Sequence, residues 1–185
     1  MPACLTHYFF SQNVREDLKD KAELDPCAYA WGAQGPDFFF CHRFLPLWKG
    51  ESLREYGGRL HEERPSKVLG SMRSFLQGHP DPAIRSYVWG FVCHYSLDCT
   101  AHPYINWLAQ ELVKQRPWET PSTMHGEIEG ALDAIVLRYE TGKLPSEVNL
   151  KAMFPKNEGV QRKIARLFRQ VLFDLYGEDV QEEKL

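Results

Sequence analysis

His94-Tyr95-Ser96-Leu97-Asp98 places an imidazole and a carboxylate four residues apart. On a helix that spacing leaves about 40° of net rotation, so both side chains emerge from one face a turn apart. A pair so placed grips a metal ion without moving the backbone, which is why ligands four apart serve zinc enzymes. His102 lies four residues further on, and His125 and Glu129 repeat the device in a later segment. Either pair alone is more often a surface polar pair or a simple hydrogen bond. Together, a His-Asp-His set and a His-Glu set on two helices describe a cluster of the kind found in carboxylate di-metal bundles. The surroundings strengthen this reading. His94 and Asp98 stand among Trp89, Phe91, Val92, Tyr95 and Leu97, and ionisable groups in apolar company need partners.

Weaker candidates lie elsewhere. Asp37 follows Gly35-Pro36 and precedes three Phe residues, and by itself reads as a turn or N-cap residue. His61 closes a helical stretch, where a surface His stabilised by the helix dipole is the plain reading. His7 is unremarkable alone, and His42 and His79 look like solvated loop residues. Glu127 points about 200° away from His125 on the helical wheel and should face solvent. The strong set is rich in His and carboxylate and has no obvious Cys, a chemistry that suits zinc and, less specifically, iron or manganese. Clustered divalent ions in such a set commonly activate water and clamp an oxyanion, which favours hydrolysis of phosphate esters.

The elements that must position these residues are helices, since long alternating β-branched runs are nearly absent. A first helix begins near Thr6, and Asp25-Pro26 opens a short segment ending at Gly35-Pro36. A helix from about Glu51 to Glu63 stops before Pro65, which can occupy the first turn of the next, running to Gly78. Asp81-Pro82 is an N-cap followed by a first helical residue, and a helix should run from there to His102. Pro103 then calls for a kink or a break, with a further helix from Tyr104 to Lys114. Ser122 or Thr123 is positioned to cap a helix reaching Glu140, and Thr141 to Lys156 reads as loop or short irregular helix. The last helix, Gly159 to Tyr176, gathers Val160, Ile164, Leu167, Phe168, Val171, Leu172 and Leu175 on one face and stops at Gly177. That face is more simply a core face than a membrane surface. The expectation is an all-α fold, a single-domain helical bundle over residues 1–177 with its metal cluster in a central cleft. Residues 178–185 form a charged tail that should fray.

Composition sets the outer limits. The chain has 185 residues, 43% hydrophobic and 25% charged, which suits one globular domain. A net charge of -3 gives no reason to expect nucleic-acid binding. The five cysteines show no Cys-x-x-Cys spacing and read as reduced thiols. No stretch reaches the apolar length of a membrane span, so no stable membrane insertion is expected. The N-terminal residues lack the pattern of a signal peptide, which points to the cytoplasm.

At Gly35-Pro36-Asp37, His61, His94-Tyr95-Ser96-Leu97-Asp98-Cys99-Thr100-Ala101-His102-Pro103, His125 and Glu129, the sequence resembles the zinc-dependent phospholipase C family of bacteria. That fold is shared distantly with single-strand-specific zinc nucleases. The order and approximate separations agree over Thr6 to Glu140, and the stretch His94 to Pro103 is the specific part. The resemblance implies an all-helical domain binding zinc ions in a cleft and hydrolysing phosphodiester bonds. It implies that His61, His94 and Asp98 hold one ion and that His102, His125 and Glu129 hold a second. Asp98 would also bridge toward a third, which His7 would help bind. Asp37 would be the catalytic carboxylate, binding metal or taking a proton from the attacking, metal-activated water. Secreted members begin, after processing, with a Trp whose amino group and carbonyl bind the third zinc. This chain begins Met1-Pro2, so two ions are the expectation and three the alternative, with the Pro2 amine available if Met1 is removed.

The leading reading is therefore a zinc-dependent phosphodiester hydrolase acting on a phosphoester, with a phospholipid suggested by resemblance alone. The alternatives are an intracellular phosphatase or nuclease on a soluble phosphoester, and a non-catalytic metal-binding protein.

Overall fold

The computed structural model describes residues 4–43 and 50–185. Eight α-helices and no strand occur among them: α1 (Cys4–Leu18), α2 (Pro26–Gly32), α3 (Arg54–Glu62), α4 (Pro65–Gly78), α5 (Pro82–Gln115), α6 (Pro121–Thr141), α7 (Leu150–Met153) and α8 (Glu158–Tyr176). Short 3₁₀ turns cover Asp37–Cys41, Pro145–Glu147 and Glu182–Lys184. The reading that Pro2 supplies a terminal amine lies outside the described residues.

Three helices start by one local rule, a capping side chain followed by Pro. Asp25 accepts from the Ala28 amide at 2.8 Å ahead of Pro26. Asp81 accepts from the Ala83 and Ile84 amides at 2.9 and 3.1 Å ahead of Pro82. At α6 the cap is Thr120, whose hydroxyl accepts from the Thr123 amide at 3.1 Å ahead of Pro121. Neither Ser122 nor Thr123 takes that role, because Pro121 already occupies the first helical position. Gly142 and Gly177, with φ of 72° and 71°, end α6 and α8 in the left-handed conformation that a side chain would strain.

Helix α5 continues through Pro103 with no break. Pro103 and Cys99, the residue whose carbonyl loses its amide partner, are both exposed, so water can take the place of the lost bond. This continuity keeps His102 in register with His94 and Asp98.

Helix α5 is the axis of the bundle, touched by α1, α2, α4, α6 and α8. Its crossing with α2 is unusually close. A Cβ on Gly90 would lie 2.2 Å from the Tyr29 carbonyl oxygen, and one on Gly32 would lie 2.1 Å from that of Tyr87. The main core joins Leu60, Met72, Phe91 and Phe168, all fully buried, each worth about 1.5–3 kcal/mol of apolar burial. A second core places Ile105 and Ala109 of α5 against Met124 and Ile128 of α6. Along α5 the stretch His94 to His102 therefore runs between two cores that fix its ends. Trp89 does not contribute to the apolar surroundings of His94; it is exposed.

Glu178 to Leu185 is docked, not frayed. Glu178 accepts from Tyr56 and Arg59, Asp179 pairs with Arg169 at 2.7 Å, and Glu182 pairs with Arg166 at 3.1 Å. Val180 and Leu185 pack against the main core. Among the described residues no helix is long and apolar enough to cross a membrane.

Candidate metal centre

Five elements bring the eight sequence-derived candidates to one place. Helix α5 presents His94, Asp98 and His102 in one column, α6 presents His125 and Glu129, α1 carries His7, α3 carries His61 and the 3₁₀ turn carries Asp37. Asp98 is the hub. Its Oδ1 lies 3.3 Å from His7 Nε2 and 3.5 Å from His102 Nε2. Its Oδ2 lies 3.1 Å from His94 Nε2 and 3.6 Å from His61 Nε2. His61 Nε2 is also 3.1 Å from Asp37 Oδ1, and Glu129 Oε1 is 3.0 Å from His125 Nε2 and 3.4 Å from His102 Nε2.

The two residues that looked most ordinary in sequence are far from ordinary in place. Asp37 caps nothing; it is buried with its carboxylate turned to His61. His61 is half-buried near the end of α3, and its Nδ1 lies 2.6 Å from the Gly57 carbonyl. Gly35 makes the Asp37 approach feasible. Its φ is 52°, and a Cβ there would fall 2.1 Å from His94 Cδ2, so the segment passes directly over that ring. Glu127 faces solvent as expected and pairs with Arg116 at 3.0 Å. His79 is exposed, whereas His42 is half-buried and accepts from the Leu53 amide at 3.0 Å.

The hydrogen bonds assign the rings. A carbonyl only accepts, so His61 Nδ1 carries a proton and donates to Gly57. A neutral His61 then directs its Nε2 lone pair at the Asp37 carboxylate, two acceptors 3.1 Å apart. In His125 the Nδ1 lies 2.9 Å from Asn106 Oδ1 and the Nε2 3.0 Å from Glu129 Oε1. Facing acceptors repel unless a proton or a cation stands between them. His7 and His94 stack at 4.3 Å between ring centroids, and the Nδ1 of each is buried without a partner. Among the described residues the Nε2 of each faces Asp98, and that of His94 also lies 3.4 Å from His61 Nε2.

Charge balance follows the same lines. Among the described residues, the ion-pair partners of Asp37, Asp98 and Glu129 are all imidazoles. Burial would raise Asp98, but His7 and His94 hold it well below the usual carboxylate range. Burial likewise opposes ionisation of Glu129, and His102 and His125 outweigh it and lower its pKa. Burial pushes His94 down. It acts the same way on His61, where Asp37 overcomes it and raises the ring, while Glu129 raises His102. At both rings the proton-bound form is favoured, so a proton and a cation compete for His61 and for His102.

Three groups have ligand atoms within 4.8 Å of one another and could each hold an ion: His7, His94 and Asp98; Asp37, His61 and His94; His102, His125 and Glu129. Five imidazole nitrogens and three carboxylates with no thiolate form a set that fits zinc. The thiol nearest the start of α1, Cys4, is pushed up to about 12 by burial and then by Asp133 and Asp37, so it stays neutral. All five cysteines are free. The cleft over the cluster has a volume of about 380 Å³ and is also lined by Phe40, Ser122 and Gly126.

Sequence reasoning missed Asn106, which fixes the His125 ring, and Asp133, which holds the start of α1. Both continue a spacing of four, Asn106 from His102 and Asp133 from Glu129. That continuation was the available signal.

No curated protein and no solved structure matches the chain. A family model described as zinc-dependent phospholipase C matches residues 6–178, a span that runs from the first turn of α1 through the end of α8 and takes in all eight residues of the cluster. The chain belongs to the zinc-dependent phospholipase C family.

Proposed function

We propose that the protein is a zinc-dependent hydrolase of phosphodiesters whose substrate is a phospholipid headgroup ester. The observation that carries this reading is the convergence of ring nitrogens on carboxylates: with Nδ1 against Gly57 and Asn106, His61 and His125 turn Nε2 to Asp37 and Glu129. With neutral rings these pairs set acceptor against acceptor, and a divalent cation held nearby would relieve that repulsion. In this reading His61, His94 and Asp98 hold one ion and His102, His125 and Glu129 hold a second. Asp98 is shared toward a third, to which His7 contributes. Zinc, when bound, polarises a phosphoryl oxygen and acidifies water.

The rest is done by the chain itself. Asp37 is buried beside His61 at the cleft and is placed to accept a proton from an attacking water. Asn106 and the Gly57 carbonyl lock ring orientation, which preserves ligand geometry between turnovers. The cleft, at about 380 Å³, lies at the small end of ligand-site volumes. It suits a phosphorylated headgroup, with acyl chains left outside.

The test is a panel on the zinc-loaded protein: lecithin in mixed micelles, a water-soluble glycerophosphodiester, nucleotides, single-stranded DNA and sugar phosphates. Release of phosphorylated headgroup from lecithin, with slower or absent turnover of the others, is the expected result. Turnover of nucleotides or sugar phosphates in preference to lecithin would contradict the lipid assignment and favour a phosphatase or nuclease.

A further inference from the structure

The first turn of a helix leaves backbone amides without partners, and the usual remedy is an acceptor on the residue just before it. Helix α1 has no such residue, because Met1, Pro2 and Ala3 carry no accepting oxygen in their side chains. Its acceptor comes from another helix. Asp133 of α6 accepts from the Thr6 amide at 2.7 Å and the Thr6 hydroxyl at 2.7 Å through Oδ1, and from the Leu5 amide at 3.1 Å through Oδ2. Its negative charge also meets the positive end of the α1 dipole.

The next residue after Thr6 is His7, whose Nε2 faces Asp98 at 3.3 Å. Asp133 in turn lies four residues beyond Glu129 and eight beyond His125, on the same stripe of α6. One face of α6 thus carries two candidate ligands and the clamp for a third. A second tether joins the same turn to the Asp37 segment, where Gln34 Nε2 donates to the Cys4 carbonyl at 3.3 Å. The remainder of α1 is held by other means: Tyr29 donates to the Ser11 carbonyl at 2.8 Å, and Phe10 and Val14 pack against Leu24, Tyr29 and Cys93. Loss of Asp133 would therefore loosen the first turn, leaving it the Gln34 tether alone, while the rest of the helix stays docked.

We infer that Asp133 is a positioning residue for the metal cluster, fixing His7 as a zinc ligand through the first turn of α1. This rests on the reading above that His7 holds zinc. The test is competition between the protein and a chromophoric zinc chelator, so it needs no substrate. Asp133→Ala is expected to weaken one class of zinc by roughly 10–100-fold, as loss of outer-shell support does elsewhere. It should be the class that His7→Ala removes, with the remaining zinc unchanged. In the His7→Ala background, Asp133→Ala should have no further effect. Asp133→Asn, which keeps the acceptor for Thr6, should recover most of the loss.

Unaltered zinc binding in Asp133→Ala would overturn the inference, as would equal weakening of every zinc or a further loss on top of His7→Ala. If Asp133→Ala melts below the assay temperature, Thr6→Ala reads the same tether. It removes the hydroxyl bond alone and should cost about fivefold at that one zinc; no loss there would overturn the inference. A wild-type protein that binds no zinc would bring down the proposed function with it. A wild-type protein with full zinc and an indifferent Asp133 would bring down this inference alone.

Discussion

Asp98→Ala is expected to reduce hydrolysis to background and to lower the zinc content by at least one ion per chain. No other carboxylate in the cluster faces as many rings: Oδ1 meets His7 and His102, and Oδ2 meets His61 and His94. Removing it takes a donor from both sides of the cluster at once, and the other ligands cannot close the gap from separate helices. The metal-free protein should also suffer. Truncation takes from His7 and His94, both buried, the carboxylate that each Nε2 faces and leaves His94 only the His61 ring at 3.4 Å, at a cost of about 1–3 kcal/mol for each group left unpaired. The sign of the pH dependence follows from the lowered pKa of Asp98. Its contribution is fully present above the unfolded carboxylate value of about 3.9 and is lost as the pH falls through the folded value. Thermal melts of chelator-treated wild type and variant should therefore differ at neutral pH and converge in acid. Equal zinc and equal turnover in Asp98→Ala would remove the hub from the account.

Asp37→Asn should separate chemistry from metal holding. Asn keeps the size and one accepting oxygen of Asp37 but cannot take a proton. Under the proposed role, turnover falls about 10²–10⁴-fold, the usual contribution of a positioned general base. Zinc content stays at the wild-type level, because His61 and His94 remain beside Asp98. That outcome also disposes of the alternative that the cluster is purely structural, since a non-catalytic protein has no turnover to lose. Loss of zinc in parallel with activity would make Asp37 a ligand instead. Unchanged turnover would remove it from the mechanism.

The parts of the site legible in sequence are those written in helical spacing. His94, Asp98 and His102 share a face of α5 because four residues make nearly a full turn, and the same arithmetic pairs His125 with Glu129. The starts of α2 and α5 were equally plain at Asp25-Pro26 and Asp81-Pro82, and Thr120-Pro121 repeats the pattern at α6, where attention to Ser122 and Thr123 missed it. Asp37 and His61 were not legible from spacing. Their meeting depends on a 3₁₀ turn that follows Gly35 over the His94 ring, a contact between segments distant in sequence. Only family resemblance pointed to them. Pro103 does not break α5, because Cys99, whose carbonyl loses its amide partner, is exposed and water can replace the bond. Asp133 is marked in sequence only by its spacing of four from Glu129, because it caps a helix to which it does not belong.

The central claim is that His7, Asp37, His61, His94, Asp98, His102, His125 and Glu129 form one zinc cluster. The most direct test is metal quantification by inductively coupled plasma mass spectrometry on protein purified without chelator. Zinc K-edge absorption on the same sample reports the ligand type. The account predicts two or three zinc ions per chain, matching the three ligand groups, with nitrogen and oxygen neighbours and no sulfur. Less than one metal ion per chain after zinc loading, or a shell dominated by sulfur, would contradict it.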